Sequence, residues 1–94
     1  MAELRFEWDP RKARSNEQKH GISFEEAQSV FLDEQALLVD DPDHSVNEDR
    51  FILLGLSASL RLVGVIHAMR RRDVIRIISA RKADRLEPTE YETR

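Results

Sequence analysis

Arg50, His67 and Arg76 stand at spacings that place them side by side on neighbouring strands. Two hairpins are expected across residues 50–81, with tips at Ala58–Ser59 and Arg71–Arg72. In that register His67 lies opposite both arginines, with opposed Cβ atoms about 4.5–5.5 Å apart. The next rows on the same face, Ile52–Val65–Ile78 and Leu54–Val63–Ala80, are apolar. Two guanidinium groups beside an imidazole repel one another unless an anion joins them. A phosphate suits the set, because each arginine fork donates to two of its oxygens at once. The alternative is internal pairing, with Arg76 held by Glu7, Asp9 or Glu87. Register decides between them, since a one-residue bulge sends Arg76 to the other face.

The elements that must position these groups follow from local pattern. Residues 4–8 alternate as a short first strand. Asp9 then caps a helix with Pro10 at its first position, where the missing N–H is not needed. Gly21 ends that helix. Its only apolar interior residue is Ala13, and Asn16 and His20 share the face of Ala13. The helix therefore packs through polar groups that are satisfied internally or line a site. A second helix starts at once, with Ser23 and Glu26 as a capping box and Ala27, Val30 and Phe31 as its apolar stripe. Strands are expected at 36–41, 50–57, 61–70 and 73–81, with residues 42–49 as an acidic loop and short connections making antiparallel hairpins. Residues 83–92 read as a helix that is broken or starts at Pro88.

Composition narrows the class. A chain of 94 residues is a single domain over 1–94. It has no Cys, so neither a disulfide framework nor a thiolate metal site is expected. The acids of "DDPDH" (40–44) lack a second His and read as a hydrated loop, so no metal and no cofactor is expected. No apolar run approaches the ~20 residues of a membrane span, and the N-terminus lacks the apolar core of a signal peptide. The expectation is a soluble cytoplasmic protein without a membrane partner. The net charge is −3, but it is unevenly spread: residues 33–49 hold seven acids and no Lys or Arg, and residues 61–85 hold eight Lys or Arg against two acids. A basic half is able to bind phosphate while the whole chain stays acidic; the plainer reading is an unevenly solvated surface.

The stretch "FEWDPRKARSNEQKHGISFEEAQSVF", an acidic segment ending in Arg50, "IRIISARKA" and a late Tyr91 together resemble the BrnT toxins of type II toxin–antitoxin systems. The likeness runs from Phe6 to Tyr91, and the blocks N-x-x-K-H-G and R-I-I-S-A-R carry it. The resemblance implies an α+β, RelE-like fold: two N-terminal helices packed on an antiparallel sheet, with a short or broken C-terminal helix. It implies a ribonuclease that halts translation. Its expected partner is a BrnA-type antitoxin with a ribbon-helix-helix region, which alone touches operator DNA and with which it represses its operon. Two toxins and two antitoxins would form a heterotetramer. Lys19 and His20 match the first block, Arg50 matches the arginine opening the third strand, and Arg76, Ser79 and Arg81 match the second block. Leu86, Pro88 and Thr89 depart from positions that are commonly basic in the family.

RNA is cut without metal when its 2′-OH attacks the adjacent phosphate. That reaction needs a proton acceptor, a proton donor and cations aimed at the non-bridging oxygens. His67 is the candidate base, because neighbouring arginines favour its neutral form. Lys19 or His20 is the candidate acid or second cation. Arg50, Arg76 and Arg81 are candidate phosphate clamps, with Ser79 and Tyr91 as substrate contacts. Each has a structural counterpart: Lys19 solvated, His20 meeting the helix dipole, Tyr91 anchoring the core. A second function class stays open, a catalytically inert module of the same fold that binds the antitoxin.

Overall fold

The computed structural model describes residues 4–41, 50–84 and 87–93. The acidic loop expected at 42–49 lies outside them. The elements run β1 (Arg5–Glu7), α1 (Pro10–His20), α2 (Phe24–Ser29), a 3-10 turn (Val30–Leu32), β2 (Leu37–Asp40), β3 (Arg50–Leu56), β4 (Leu62–Arg71), β5 (Val74–Lys82) and α3 (Glu87–Thr93). The five strands form one sheet in the order β1-β5-β4-β3-β2. The fold is α+β, with N-terminal helices on a mostly antiparallel sheet. The exception is β1, which pairs parallel with β5 through Arg5–Val74, Phe6–Ile75 and Glu7–Arg76. No helix among the described residues is long and apolar enough to cross a membrane.

Helix boundaries follow the capping chemistry. The Asp9 side chain accepts from Arg11 N at 2.8 Å. Gly21 takes φ 72° and donates to Glu17 O, a backbone geometry that disfavours residues with a Cβ. Ser23 accepts from Glu26 N at 3.0 Å. The reciprocal half of that capping box is missing, because the Glu26 carboxylate turns to Arg61 and Ser57 instead. The described part of α3 runs from Glu87, one residue before Pro88. Asp84 N donates to the Glu87 carboxylate at 2.7 Å and Glu87 N to Asp84 Oδ1 at 3.0 Å. Those reciprocal bonds are a capping box.

The main core cluster lies on one face of the sheet, while Ile52, Leu54 and Ala68 are buried on the other. Ile22, Phe24, Ala27 and Val30 pack on Val63, Val65, Ile77 and Ala80, with Phe6, Trp8 and Phe31 closing the edges. Full burial of each Val, Ile or Phe side chain in this set contributes about 1.5–3 kcal/mol. Trp8 meets Phe24 edge-on at 5.8 Å, and Phe6 meets Phe31 at 5.1 Å. A Cβ at Gly55 would stand 2.9 Å from Ala36 Cβ and 3.0 Å from Asp33 Oδ2. Only glycine lets the segment after the 3-10 turn approach β3 so closely.

The strand register differs from the expected one. The β3–β4 tip is one residue longer than Ala58–Ser59: Leu60 N donates to Ser57 O, and Leu60 sits at φ 61°. Phe51 therefore pairs with His67, and Arg50 with Ala68. The β4–β5 pairing shifts too, with irregularities between Met69 and Arg71 and between Ile66 and His67, so that His67 faces Ile77 and Ala68 faces Arg76. β4 has thus moved by one residue against β3, and against β5 by one residue up to Ile77 and by two beyond it, so the expected apolar rows Ile52–Val65–Ile78 and Leu54–Val63–Ala80 give way to Ile52–Ile66–Ser79 and Leu54–Gly64–Arg81. Arg50 and Arg76 share a row as expected, but Ala68 stands between them. His67 projects from the opposite, helix-covered face. The expected guanidinium–imidazole–guanidinium line is not formed.

Candidate functional site

Asn16 joins α1 to the sheet. β1 stops pairing with β5 at Arg76, which leaves the backbone edge of β5 open beyond that point. The Asn16 amide takes over. Its Nδ2 donates to Ala80 O at 2.8 Å and Ile22 O at 3.0 Å, and its Oδ1 accepts from Ala80 N at 3.1 Å. An amide side chain carries one acceptor and two donors, so it completes both halves of the Ala80 peptide pairing. The sequence left two options for this polar helix face, internal satisfaction or a site. Asn16 serves both, because its Oδ1 also accepts from the Ser79 hydroxyl at 3.1 Å.

Ser79 opens onto a groove of about 210 Å3 between α1 and β5, lined by Lys12, Ser15, Lys19, His20 and Ile78 as well. The irregularity in β5 pairing falls at Ile78, where a bulge re-aims the side chains of a strand. Three of the expected site residues, Lys19, His20 and Ser79, come together here. Among the described residues, Lys12, Lys19 and His20 form no ion pair. Lys12 and Ser15 escaped the sequence reading. Their signal was present, because Lys12, Ser15 and Lys19 at i, i+3 and i+7 lie on one side of a helix.

The arginines are disposed otherwise. Arg76 Nη1 donates to Glu7 Oε2 at 3.1 Å, and Arg70 Nε stands 3.7 Å from the same oxygen. Pairing through Glu7 is the internal alternative that the sequence allowed. Arg81 donates to both carboxylate oxygens of Glu87, at 2.7 and 3.0 Å. Its bond holds the Glu87 carboxyl below the usual carboxylate range, against burial that pulls upward. Arg61 and Glu26 form a similar pair, in which Arg61 also donates to Gly21 O. Arg50 opens β3 on the face away from α1 and α2.

His67 is 3% exposed, packed edge-on against Phe31 at 5.0 Å and beside Phe51 at 6.0 Å. Burial pushes its pKa below the ordinary histidine value, against a backbone bond to Val65 O that raises it. The ring is neutral and enclosed, and it faces neither Arg50 nor Arg76. Tyr91 donates to Asp33 Oδ2 at 2.7 Å, and Asp33 also accepts from Leu56 N and Gln35 N. The tyrosine ties α3 to the segment before β2, which is the anchoring role.

A larger groove, about 620 Å3, lies elsewhere, between β1 and α2, and among the described residues no Lys or Arg lines it. The cation-bearing groove is the better candidate on chemistry, though it is smaller.

No curated protein matches the chain. The 1.1 Å crystal structure of the Brucella abortus ribonuclease toxin BrnT is similar to it, with a TM-score of 0.66 at 21% identity over 87% of this chain and 99% of that one. This likeness establishes the shared fold. The profile of the family described as "Ribonuclease toxin, BrnT, of type II toxin-antitoxin system" matches residues 8–87. That span takes in both sequence blocks, the Asn16 link, the α1–β5 groove and the whole sheet from β2 to β5. The chain belongs to the BrnT family of ribonuclease toxins of type II toxin–antitoxin systems.

Proposed function

We propose that this toxin cleaves RNA at the α1–β5 groove, without a metal, by attack of the ribose 2′-OH on the adjacent phosphate. The 2′-oxygen forms a bond to phosphorus, the bond to the 5′-oxygen breaks, and a cyclic 2′,3′-phosphate remains. His20 takes the 2′-proton. Lys19 protonates the departing oxygen or stabilises the charge on the phosphorane, and Lys12 holds a neighbouring phosphate. Ser79, oriented by Asn16, contacts the sugar–phosphate backbone. One observation carries this reading: Lys12, Lys19 and His20 converge on one groove, and among the described residues none of them forms an ion pair. Arg76 and Arg81 contribute as clamps only where phosphate displaces Glu7 or Glu87.

The toxin acts in the cytoplasm. A BrnA-type antitoxin with a ribbon-helix-helix region neutralises it, and the two together repress their operon. Operator DNA is touched only through the antitoxin, in an assembly of two toxins and two antitoxins.

The test is a purified-protein assay on an RNA oligonucleotide in excess EDTA, with the product ends mapped. The expected result is cyclic 2′,3′-phosphate ends from the wild type, and a loss of about a hundredfold in Lys19→Gln and His20→Gln. Full activity in both variants would remove the groove from the mechanism, and abolition by EDTA would remove the metal-free route. The carboxylate pairing of Arg76 and Arg81 favours a second reading, a catalytically inert module that binds the antitoxin. Expression of the wild type decides: growth arrest supports the nuclease, and normal growth with no cleavage supports the inert module.

A further inference from the structure

Two open grooves meet at Leu32. One is the 620 Å3 groove, walled by Leu4, Phe6, Phe31 and Glu25. The other, about 280 Å3, lies against the β3–β4 hairpin and is walled by Asp33, Leu56 and Leu60. Both include Ser29 and Leu32. Leu32 is 83% exposed, Leu60 80% and Leu4 49%, a cluster of large apolar side chains that a monomer does not need for its own core.

Leu60 carries a second signal. Its φ of 61° lies in the left-handed region. It occupies the position of a three-residue hairpin loop where glycine or asparagine normally sits. A bulky L-residue is rarely held there, and here it gains no burial in return. The hairpin presents a leucine to solvent at a position that favours a residue without one.

The rim is charged in one sense. Among the described residues no Lys or Arg lines either groove. Glu25 stands exposed in the wall of one, and Glu34 stands exposed beside Asp33 of the other. Neither forms an ion pair among the described residues. Their neighbour Glu26, by contrast, is tied to Arg61.

The geometry points to a docking surface for the cognate antitoxin that family membership implies: a segment of it lays apolar side chains into both grooves across Leu32, and its lysines or arginines meet Glu25 and Glu34. The surface shares no residue with the Lys19–His20 groove. Docking and RNA cleavage are therefore separable, and the inference stands or falls independently of the proposed cleavage site.

The experiment measures the affinity of the purified cognate antitoxin for the wild-type chain and for Leu32→Glu, Leu60→Glu and Leu60→Gly. Each variant is expected to bind at least tenfold more weakly. Leu60→Gly guards against a folding artefact, because glycine relaxes the hairpin; this variant should melt no lower than the wild type and still lose affinity. Glu25→Lys should weaken binding several-fold, with a reduced salt dependence. Two results overturn the assignment. In the first, all three leucine variants bind within twofold of the wild type. In the second, antitoxin affinity is unchanged while the isolated chain changes its oligomeric state on sizing with light scattering, which makes the surface a contact between copies of this chain.

Discussion

Arg61, Arg76 and Arg81 each meet a carboxylate of their own chain, whereas Lys12, Lys19 and His20 meet an open groove. Both groups are basic side chains, and both contribute to the two blocks that identify the family. They differ in what lies across from them. The sheet arginines reach acids brought near by folding: Glu26, Glu7 and Glu87. The guanidinium fork suits a carboxylate as well as it suits a phosphate, so a partner within reach occupies it. Among the described residues no acid, Glu17 of the same helix included, forms an ion pair with Lys12, Lys19 or His20, and a cation in the last turn of α1 is favoured by the helix dipole without being neutralised. A cation is therefore available to a substrate because of its surroundings, whatever its residue type.

The largest effect is expected where the two regions are joined. Asn16→Ala removes the amide that completes the Ala80 peptide pairing and leaves buried donors and acceptors without partners. The expected loss is about 3 kcal/mol, read as a fall in melting temperature on the order of 10 °C or more. A loss under about 1 kcal/mol would mean that α1 is held on β5 by other contacts, and the groove would then owe its shape to them.

Next in size is the contrast between the two sets of cations. Lys19→Gln should lower RNA cleavage by about a hundredfold with an unchanged melting temperature. Arg76→Gln should do the opposite, lowering stability by about 1 kcal/mol or less, as for a half-exposed ion pair, while cleavage changes little. Reversal of that order would move the reactive centre onto the sheet face with Arg50, Ala68 and Arg76.

Much of this arrangement was legible beforehand, in uneven ways. Asp9, Pro10, Gly21 and Ser23 are capping residues whose chemistry is local, and the two N-terminal helices fell where those residues place them. Register was harder. Neither hairpin tip contains a Gly or Asn to set its geometry, and Leu60 gives no warning that it occupies a left-handed position. One unexpected loop residue and two β4–β5 irregularities slid β4 along both of its neighbours. At the Arg50–Arg76 end β3 and β5 stayed aligned, so the two arginines kept their common row, while His67 changed sides together with Val65 and Val63. The candidate site was legible in part for a similar reason. Lys19, His20 and Ser79 were named from the family blocks, but that they meet depends on Asn16 bridging α1 to Ala80, a contact between residues far apart in the chain. The parallel pairing of β1, which brings Glu7 to Arg76, has no local signature at all.

A smaller effect would sharpen the comparison by converting one region toward the other. Glu7→Gln removes the carboxylate from Arg76 and Arg70. Stability should fall by about 1 kcal/mol or less. RNA affinity should rise, because a guanidinium no longer held by its own chain becomes open to phosphate. The gain should vanish at high salt, where counterion release no longer favours binding. Equal affinity in both proteins at low salt would show that Arg76 is out of reach of RNA even when released.

The smallest effect concerns His67, the residue that changed sides. Its folded-state pKa is lowered, chiefly by burial, so the native state resists protonation while the unfolded chain does not. Above the ordinary value near ~6.5 the ring is neutral in both states and the fold keeps its full stability. As pH falls through that value the unfolded state takes up the proton first, and stability declines until the pH reaches the lowered native value. The slope for one proton is at most about 1.4 kcal/mol per pH unit. Glu26 and Glu87 do not confuse the reading, because their carboxyls are shifted downward; their contribution is complete above the ordinary glutamate range and is lost only below it. Urea melts of the wild type between pH 7.5 and about 5 should therefore show a decline that His67→Phe removes, since phenylalanine fills the space beside Phe31 and Phe51 without a titrating nitrogen. A wild-type curve that is flat over this window would remove the effect of burial on His67, and one that rises toward acid would place the ring beside an anion after all and return it to the chemistry of the site.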